Sequence, residues 1–216
     1  MWSEAMFSSS KGDWRTPMPL FERATEVFGD FDLDACANSS NHLCDRYFSL
    51  AGIDGREEDW WEHGSNIWCN PVYSRNKEDM AWPLKKAIEA CEHGCSVTFL
   101  VFARFDTEWA HKYVLGKADI HCIEGRVRFS MPAPAPRGFP PDMKRKPVAP
   151  APSVLLHFTQ ETVAGARPTL IRSFSETCAS VGLSRPQLWD NYDMSNSPQT
   201  SALESRVEQG GSDAST

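Results

Sequence analysis

Four consecutive residues, Asn70-Pro71-Val72-Tyr73, carry the most specific chemistry in the chain. They follow an apolar run, Asn66-Ile67-Trp68-Cys69, and precede a polar stretch, Ser74-Arg75-Asn76-Lys77. That order reads as a buried strand opening into a loop. An amide oxygen beside a backbone carbonyl can accept hydrogen bonds from both N–H groups of one planar amine. The amino group of adenine is such an amine, and a poor nucleophile because its lone pair is delocalised into the ring. The Asn70 side-chain oxygen and the Pro71 carbonyl would hold it and favour a more tetrahedral nitrogen. Tyr73 can stack on the ring, a contact that contributes on the order of 1–3 kcal/mol in single-strand binders. The same residues also read as a strand followed by an Asx-type turn, with Tyr73 as core filler. Asn-Pro-x-Tyr also occurs as a peptide signal read by adaptor domains, but that use needs an exposed tail, and here the motif ends an apolar run.

A chain of 216 residues supports one domain with a sizeable core. The net charge of −7 argues against a wholly basic nucleic-acid binder but leaves room for a local basic face. Seven irregularly spaced cysteines fit reduced, intracellular thiols. Met1-Trp2-Ser3-Glu4 lacks the basic-then-apolar order of a secretory signal. No apolar run approaches about 18 residues, so no membrane span is expected and the cytoplasm is the expected compartment. Cys91-Glu92-His93-Gly94-Cys95 contains metal-ligand types without a second pair at zinc-finger spacing, so no metal site is expected.

The elements that must position Asn70 follow from periodicity. Leu20, Phe21, Ala24, Val27 and Phe28 recur at helical spacing, with Thr16 as cap, Pro17 in the first position and Gly29 at the stop. Phe31 to Cys36 reads as a short strand ending in an acidic turn, and Asp54-Gly55 is a turn signal. Residues 78–92 read as a helix with Pro83 in its first turns or at a kink. Ser96 to Phe102 is an almost wholly apolar strand, which suits a sheet covered on both faces. A helix over Asp106–Leu115 with Asp106 as cap is predicted. Short strands are predicted at Ile120–Ile123, Arg126–Phe129 and Ser153–Phe158, and a last helix over Pro168–Val181. Strands alternating with helices predict an α/β fold with a mostly parallel sheet and helices on both faces. Residues 1–12 are expected to form a flexible leader, 13–183 the domain and 184–216 a disordered acidic tail. Residues 131–152 contain eight prolines and the cluster Lys144-Arg145-Lys146, and read as a long basic loop.

Several motifs occur in one order: Asp13-Trp14-Arg15-Thr16-Pro17, Leu20-Phe21, Phe31-Asp32-Leu33-Asp34-Ala35-Cys36-Ala37, Trp68-Cys69-Asn70-Pro71-x-Tyr73-Ser74, Ala103-Arg104-x-Asp106-Thr107-x-Trp109 and Gly125-Arg126-Val127-Arg128-Phe129. Over residues 13–158 this order resembles the phage-type, Dam-like DNA N6-adenine methyltransferase family. The resemblance implies a Rossmann-like class I methyltransferase fold, S-adenosyl-L-methionine as methyl donor and DNA as partner. It implies that Asn70, Pro71 and Tyr73 hold the target base. Thr16, Pro17, Asp34, Cys36 and Asp59 would then lie along the donor, with Thr16-Pro17 near its methionine part, Asp34 near its amino acid or ribose, and Asp59 near its adenine. Arg75, Arg104, Arg126, Arg128, Lys144, Arg145 and Lys146 would contact DNA. A role in shielding viral DNA from host restriction follows from the same resemblance. Two departures stand out. The third motif position, usually proline, is Val72, and no Gly-x-Gly follows Asp34. RNA adenine or protein glutamine as acceptor, or a weakened nucleic-acid-binding relic of the fold, are the alternatives these residues leave open.

Overall fold

The computed structural model describes residues 14–49, 51–72, 77–129 and 149–184. Tyr73, Arg75, Lys144, Arg145 and Lys146 lie outside the described residues, as do the leader, residues 131–148 of the Pro-rich segment and the tail from 185 onward. The described elements run α1 (Met18–Phe28), β1 (Leu33–Asp34), β2 (Arg46–Tyr47), a 3-10 turn (Trp60–Glu62), β3 (Asn66–Cys69), α2 (Lys77–Glu92) and β4 (Ser96–Phe102). They continue with α3 (Glu108–Tyr113), β5 (Asp119–Cys122), β6 (Ser153–Phe158), α4 (Gln160–Val163), β7 (Ile171–Ser173) and α5 (Phe174–Ser180).

The strands form one seven-stranded sheet in the order β2-β1-β3-β4-β6-β5-β7. Neighbours are parallel except at β6, which runs antiparallel to both β4 and β5. The sheet is therefore mixed, and mostly parallel as predicted, with β6 the one reversed strand. Periodicity marks a buried strand but carries no sign of its direction.

Side-chain alternation divides the core in two. Ile67, Cys69, Val97, Phe99, Val101, Val154, Leu156 and Phe158 point to one face, where α2 covers them with Met80, Leu84, Ala87 and Cys91. Trp68, Leu100, Phe102 and Leu155 point to the other, under Leu20 and Ala24 of α1 and Phe174 and Cys178 of α5. The apolar runs at β3, β4 and β6 are thus explained by cover on both sides.

Local differences from the sequence reading have local causes. Pro17, not Thr16, occupies the cap of α1, and no side chain caps the helix. Gly29 ends α1 with φ of 90°, a conformation that favours glycine. β1 is only two residues long, and just before it the Asp32 carboxylate accepts the Ser65 and Asn66 backbone N–H groups at 3.0–3.1 Å while its own N–H donates to the Asn66 carbonyl at 2.9 Å. Thr107 rather than Asp106 precedes α3, and Asp106 pairs with Arg104 instead. Arg126–Phe129 joins no sheet strand; Val127 accepts a bond from Ala149 at 2.8 Å. Pro168–Val181 divides into β7 and α5. The buried Asp119 carboxylate anchors that turn by accepting a fork from Arg167, at 3.0 and 2.6 Å, and the Leu170 N–H at 2.8 Å. The segments β2, α4 and the 3-10 turn are too short to give a periodic signal.

Two histidines pack against Phe28 at the end of α1, His121 buried and His157 half-buried. His157 pairs with the Thr98 hydroxyl at 2.9 Å and His121 with the Thr177 hydroxyl at 2.7 Å. Phe28 stacks on His157 at 4.5 Å and meets His121 edge-on at 5.2 Å. Burial pushes both imidazoles from 6.5 down to about 4. In that window the unfolded chain binds more protons than the folded one, so stability falls as pH drops from 6.5 toward 4. Urea denaturation of a His157→Gln variant should show a shallower loss of stability on acidification than the native chain; an identical slope would mean that His157 is not a source of the pH dependence.

Candidate active site

The chain leaves β1 toward β2 on one side and returns through β3 on the other. The carboxyl ends of β1 and β3 therefore flank a topological switch point, the place where α/β sheets bind ligands. The Ala35 N–H donates to the Trp68 carbonyl at 2.9 Å, so the pairing continues to the strand tips. Asp34-Ala35-Cys36 and Asn70-Pro71 emerge there side by side.

Asn70 is the residue on which the geometry is most specific. Its side-chain nitrogen donates to the Trp14 carbonyl at 2.5 Å and to the Thr16 hydroxyl at 3.1 Å. Two acceptors around the nitrogen fix which way the amide points. Its Oδ1 is buried and has no hydrogen-bond partner among the described residues. Asn66, at the other end of the same strand, makes the contrast. Its nitrogen donates to the Phe28 and Asp30 carbonyls, and its oxygen accepts from Ser96 at 2.8 Å. An unsatisfied buried acceptor costs about 1–3 kcal/mol, so its presence asks for a partner. Pro71 is buried beside it, and Val72 is 55% exposed, so the departure at the third motif position disturbs no core contact.

Asp34 is 3% exposed and holds the following loop together. Its carboxylate accepts from the Cys36 N–H at 3.4 Å and the Leu43 N–H at 3.1 Å. Burial nevertheless pushes its carboxyl from 3.8 up to about 7, against the lowering effect of those two bonds. Cys36 is half-buried, and burial together with a hydrogen bond donated to Cys36 drives the Cys69 thiol well above its ordinary range. Arg15 reaches the same loop, its guanidinium donating to Ser40 at 2.9 Å.

The remaining sequence-predicted residues are placed less centrally. Asp59 is exposed, and its carboxylate meets Lys86 of α2 at 3.9 Å. Arg104, at the end of β4, is engaged by Asp106 through two bonds of 3.0 and 3.1 Å. Arg126 is exposed and donates to the Ala149 carbonyl at 3.3 Å, while Arg128 is exposed on the same segment. The Trp14 carbonyl and the Leu43 N–H are contributors that the sequence reading did not assign. Trp14 lies 56 residues from Asn70, and a backbone carbonyl leaves no signal in residue type.

Fold and site together define an α/β protein whose candidate site lies at the switch point between β1 and β3. The chain belongs to the DNA N-6-adenine-methyltransferase (Dam) family, whose family model matches residues 4–164. It is also 32% identical over 111 residues to a protein of Escherichia phage T1 named DNA N-6-adenine-methyltransferase. The match covers 51% of this chain and 44% of the phage protein, so the chain spans less than half the length of that relative. Among the described residues, no helix is long and apolar enough to cross a membrane, and no group of three or more His, Cys, Asp and Glu could hold a metal.

The Asp34 shift gives a measurable sign. Between 3.8 and about 7 the folded chain holds the proton more tightly than the unfolded one, so ionisation of Asp34 removes stability as pH rises through that window. Asp34→Asn should gain stability relative to the native chain between about pH 5 and about pH 8, by on the order of 2 kcal/mol. Urea unfolding at both values measures it, and a pH-independent difference would place the Asp34 carboxyl in its ordinary range.

Proposed function

We propose that this protein is a site-specific, S-adenosylmethionine-dependent DNA methyltransferase acting on N6 of adenine. The observation that carries the reading is the Asn70 Oδ1 at the switch point, buried and without a partner among the described residues. A group that lacks an acceptor's partner in the folded chain suits a substrate that brings a donor. The adenine amino group brings two, and the Pro71 carbonyl suits the second. Together they draw the nitrogen lone pair out of conjugation and hold it in one direction. Tyr73 is proposed to stack on the base from its place next in the motif.

The residues around the crevice fit the donor. Ala35, Cys36 and Ala37 are small enough for close approach, and Asp34 fixes their backbone from within. With Pro17 and Asp59 they are the residues proposed to lie along it, within a Rossmann-like class I framework; Thr16, given the same role by the resemblance, bonds to Asn70 instead. S-adenosylmethionine supplies an electrophilic methyl group on a sulfonium. What the protein itself contributes is positioning: it fixes the amine against a partner held by the neighbouring loop, and such alignment supplies much of a two-reactant rate enhancement. The proton lost from the methylated nitrogen passes to water. A base in a duplex must leave the stack to reach Asn70. The exposed Arg126 and Arg128 suit the phosphate contacts that this requires, with Arg104 in a weaker position because Asp106 neutralises it. Arg75, Lys144, Arg145 and Lys146 are proposed for the same role. In the cytoplasm of a host cell, such modification would shield viral DNA from restriction.

The test is radiolabel transfer from S-adenosylmethionine to DNA, RNA and protein in parallel, with digestion to identify the product. N6-methyladenine from DNA is expected, and absence of transfer to any adenine-containing DNA would overturn the reading. Asn70→Ala should lower transfer by roughly 10²–10³-fold, as removal of one preorganised hydrogen-bonding group does. Calorimetric donor binding should be retained. An Asn70→Ala variant with native activity would remove Asn70 from the mechanism.

A further inference from the structure

Trp14, Arg15 and Thr16 are three consecutive residues that bond to both sides of the crevice. Arg15 donates to Ser40 in the loop after β1, while Trp14 and Thr16 take the Asn70 nitrogen at the tip of β3. We propose that Thr16 is a positioning residue for Asn70, presenting Oδ1 to the substrate amine. The proposal rests on the reading of Asn70 as the amine acceptor.

A primary amide has two orientations half a turn apart, and they exchange a donor for an acceptor. In the flipped orientation the Asn70 nitrogen would face the incoming amine, donor against donor. Its oxygen would face the Trp14 carbonyl, acceptor against acceptor. The observed orientation avoids both conflicts. The Trp14 carbonyl can only accept, so it rejects the flipped amide, and the Thr16 hydroxyl takes the second N–H and stops the side chain swinging about the first. Thr16 is placed firmly enough for this. It is 7% exposed, and the next residue, Pro17, starts α1, whose Leu20 and Ala24 are clamped in the core with Trp68. The resemblance to the methyltransferase family implied a donor contact for Thr16; the geometry gives its hydroxyl to Asn70.

The two roles separate on measurement. Thr16→Val keeps the shape and removes the hydroxyl, and Thr16→Ser keeps the hydroxyl. Positioning predicts that Thr16→Val lowers kcat by roughly 10- to 100-fold, the scale of a misaligned reacting group. KM for DNA and the calorimetric Kd for S-adenosylmethionine should be unchanged, and Thr16→Ser should restore most of the rate. In an Asn70→Ala background, Thr16→Val should cause no further loss. Thr16→Val with native kcat, Thr16→Val with donor binding weakened as much as turnover, or Thr16→Ser as slow as Thr16→Val would each overturn the proposal. The NMR resonances of the Asn70 side-chain amide report the contact without activity: Thr16→Val should shift them and Thr16→Ser should not. An inactive native chain with those shifts present would sink the methyltransferase reading while leaving the contact; absent shifts would sink the contact itself.

Discussion

The site depends on one polar imbalance. Asn70 spends its nitrogen on the chain and leaves its buried oxygen without a partner among the described residues. Folding tolerates this only because surrounding packing holds the side chain in place. Trp68 and Cys69, immediately before Asn70, are fully buried on opposite faces of the sheet, so the strand tip cannot move to relieve the oxygen. Asn66 at the other end of β3 shows that this protein satisfies a strand-end asparagine fully where no ligand is needed.

The rest of the architecture brings partners to that tip. Placing β2 and β3 on opposite sides of β1 creates the switch point, and β4 beside β3 forms the centre of the sheet. The reversed β6 separates β4 from β5, so the distal half of the sheet buttresses the site without adding to the crevice. α1 matters less as a helix than as an anchor for the segment before it, which carries the two acceptors for Asn70. Asp34 plays a comparable part within its own loop. Its carboxylate is spent on backbone N–H groups, and its raised pKa reflects the cost of burying a charge for a structural end. Holding this loop is compatible with the donor contact proposed for Asp34, because the loop emerges beside Asn70.

Much of this was legible in the sequence. β3, β4 and β6 are bounded as their apolar runs predict, because continuous burial on two faces leaves a continuous hydrophobic signature. The helix after the motif is equally plain from its apolar stripe. The grip proposed for Asn70-Pro71 could be argued from residue type, but an Asx-type turn at the same place could be argued equally, and only the ordered motifs around it favoured the grip. Short elements were not legible. β2 and β7 have two and three residues, too few for a period, and the capping roles of Thr16 and Asp106 were lost to other partners, Asn70 across the fold and Arg104 two residues away.

The sequence by itself determined which segments are buried, in what order the motifs lie, and which residue types could grip an amine. Those properties follow from local periodicity and from side-chain chemistry, which need no knowledge of neighbours. Only the tertiary structure decided the direction of β6, the flip of the Asn70 amide, and the reassignment of Thr16 from helix cap to amide partner. Each of these is a contact between residues far apart in the chain. Hydrogen bonds are directional and their donors and acceptors are indifferent to sequence separation, so their pairing is fixed only when the folded chain sets the distances.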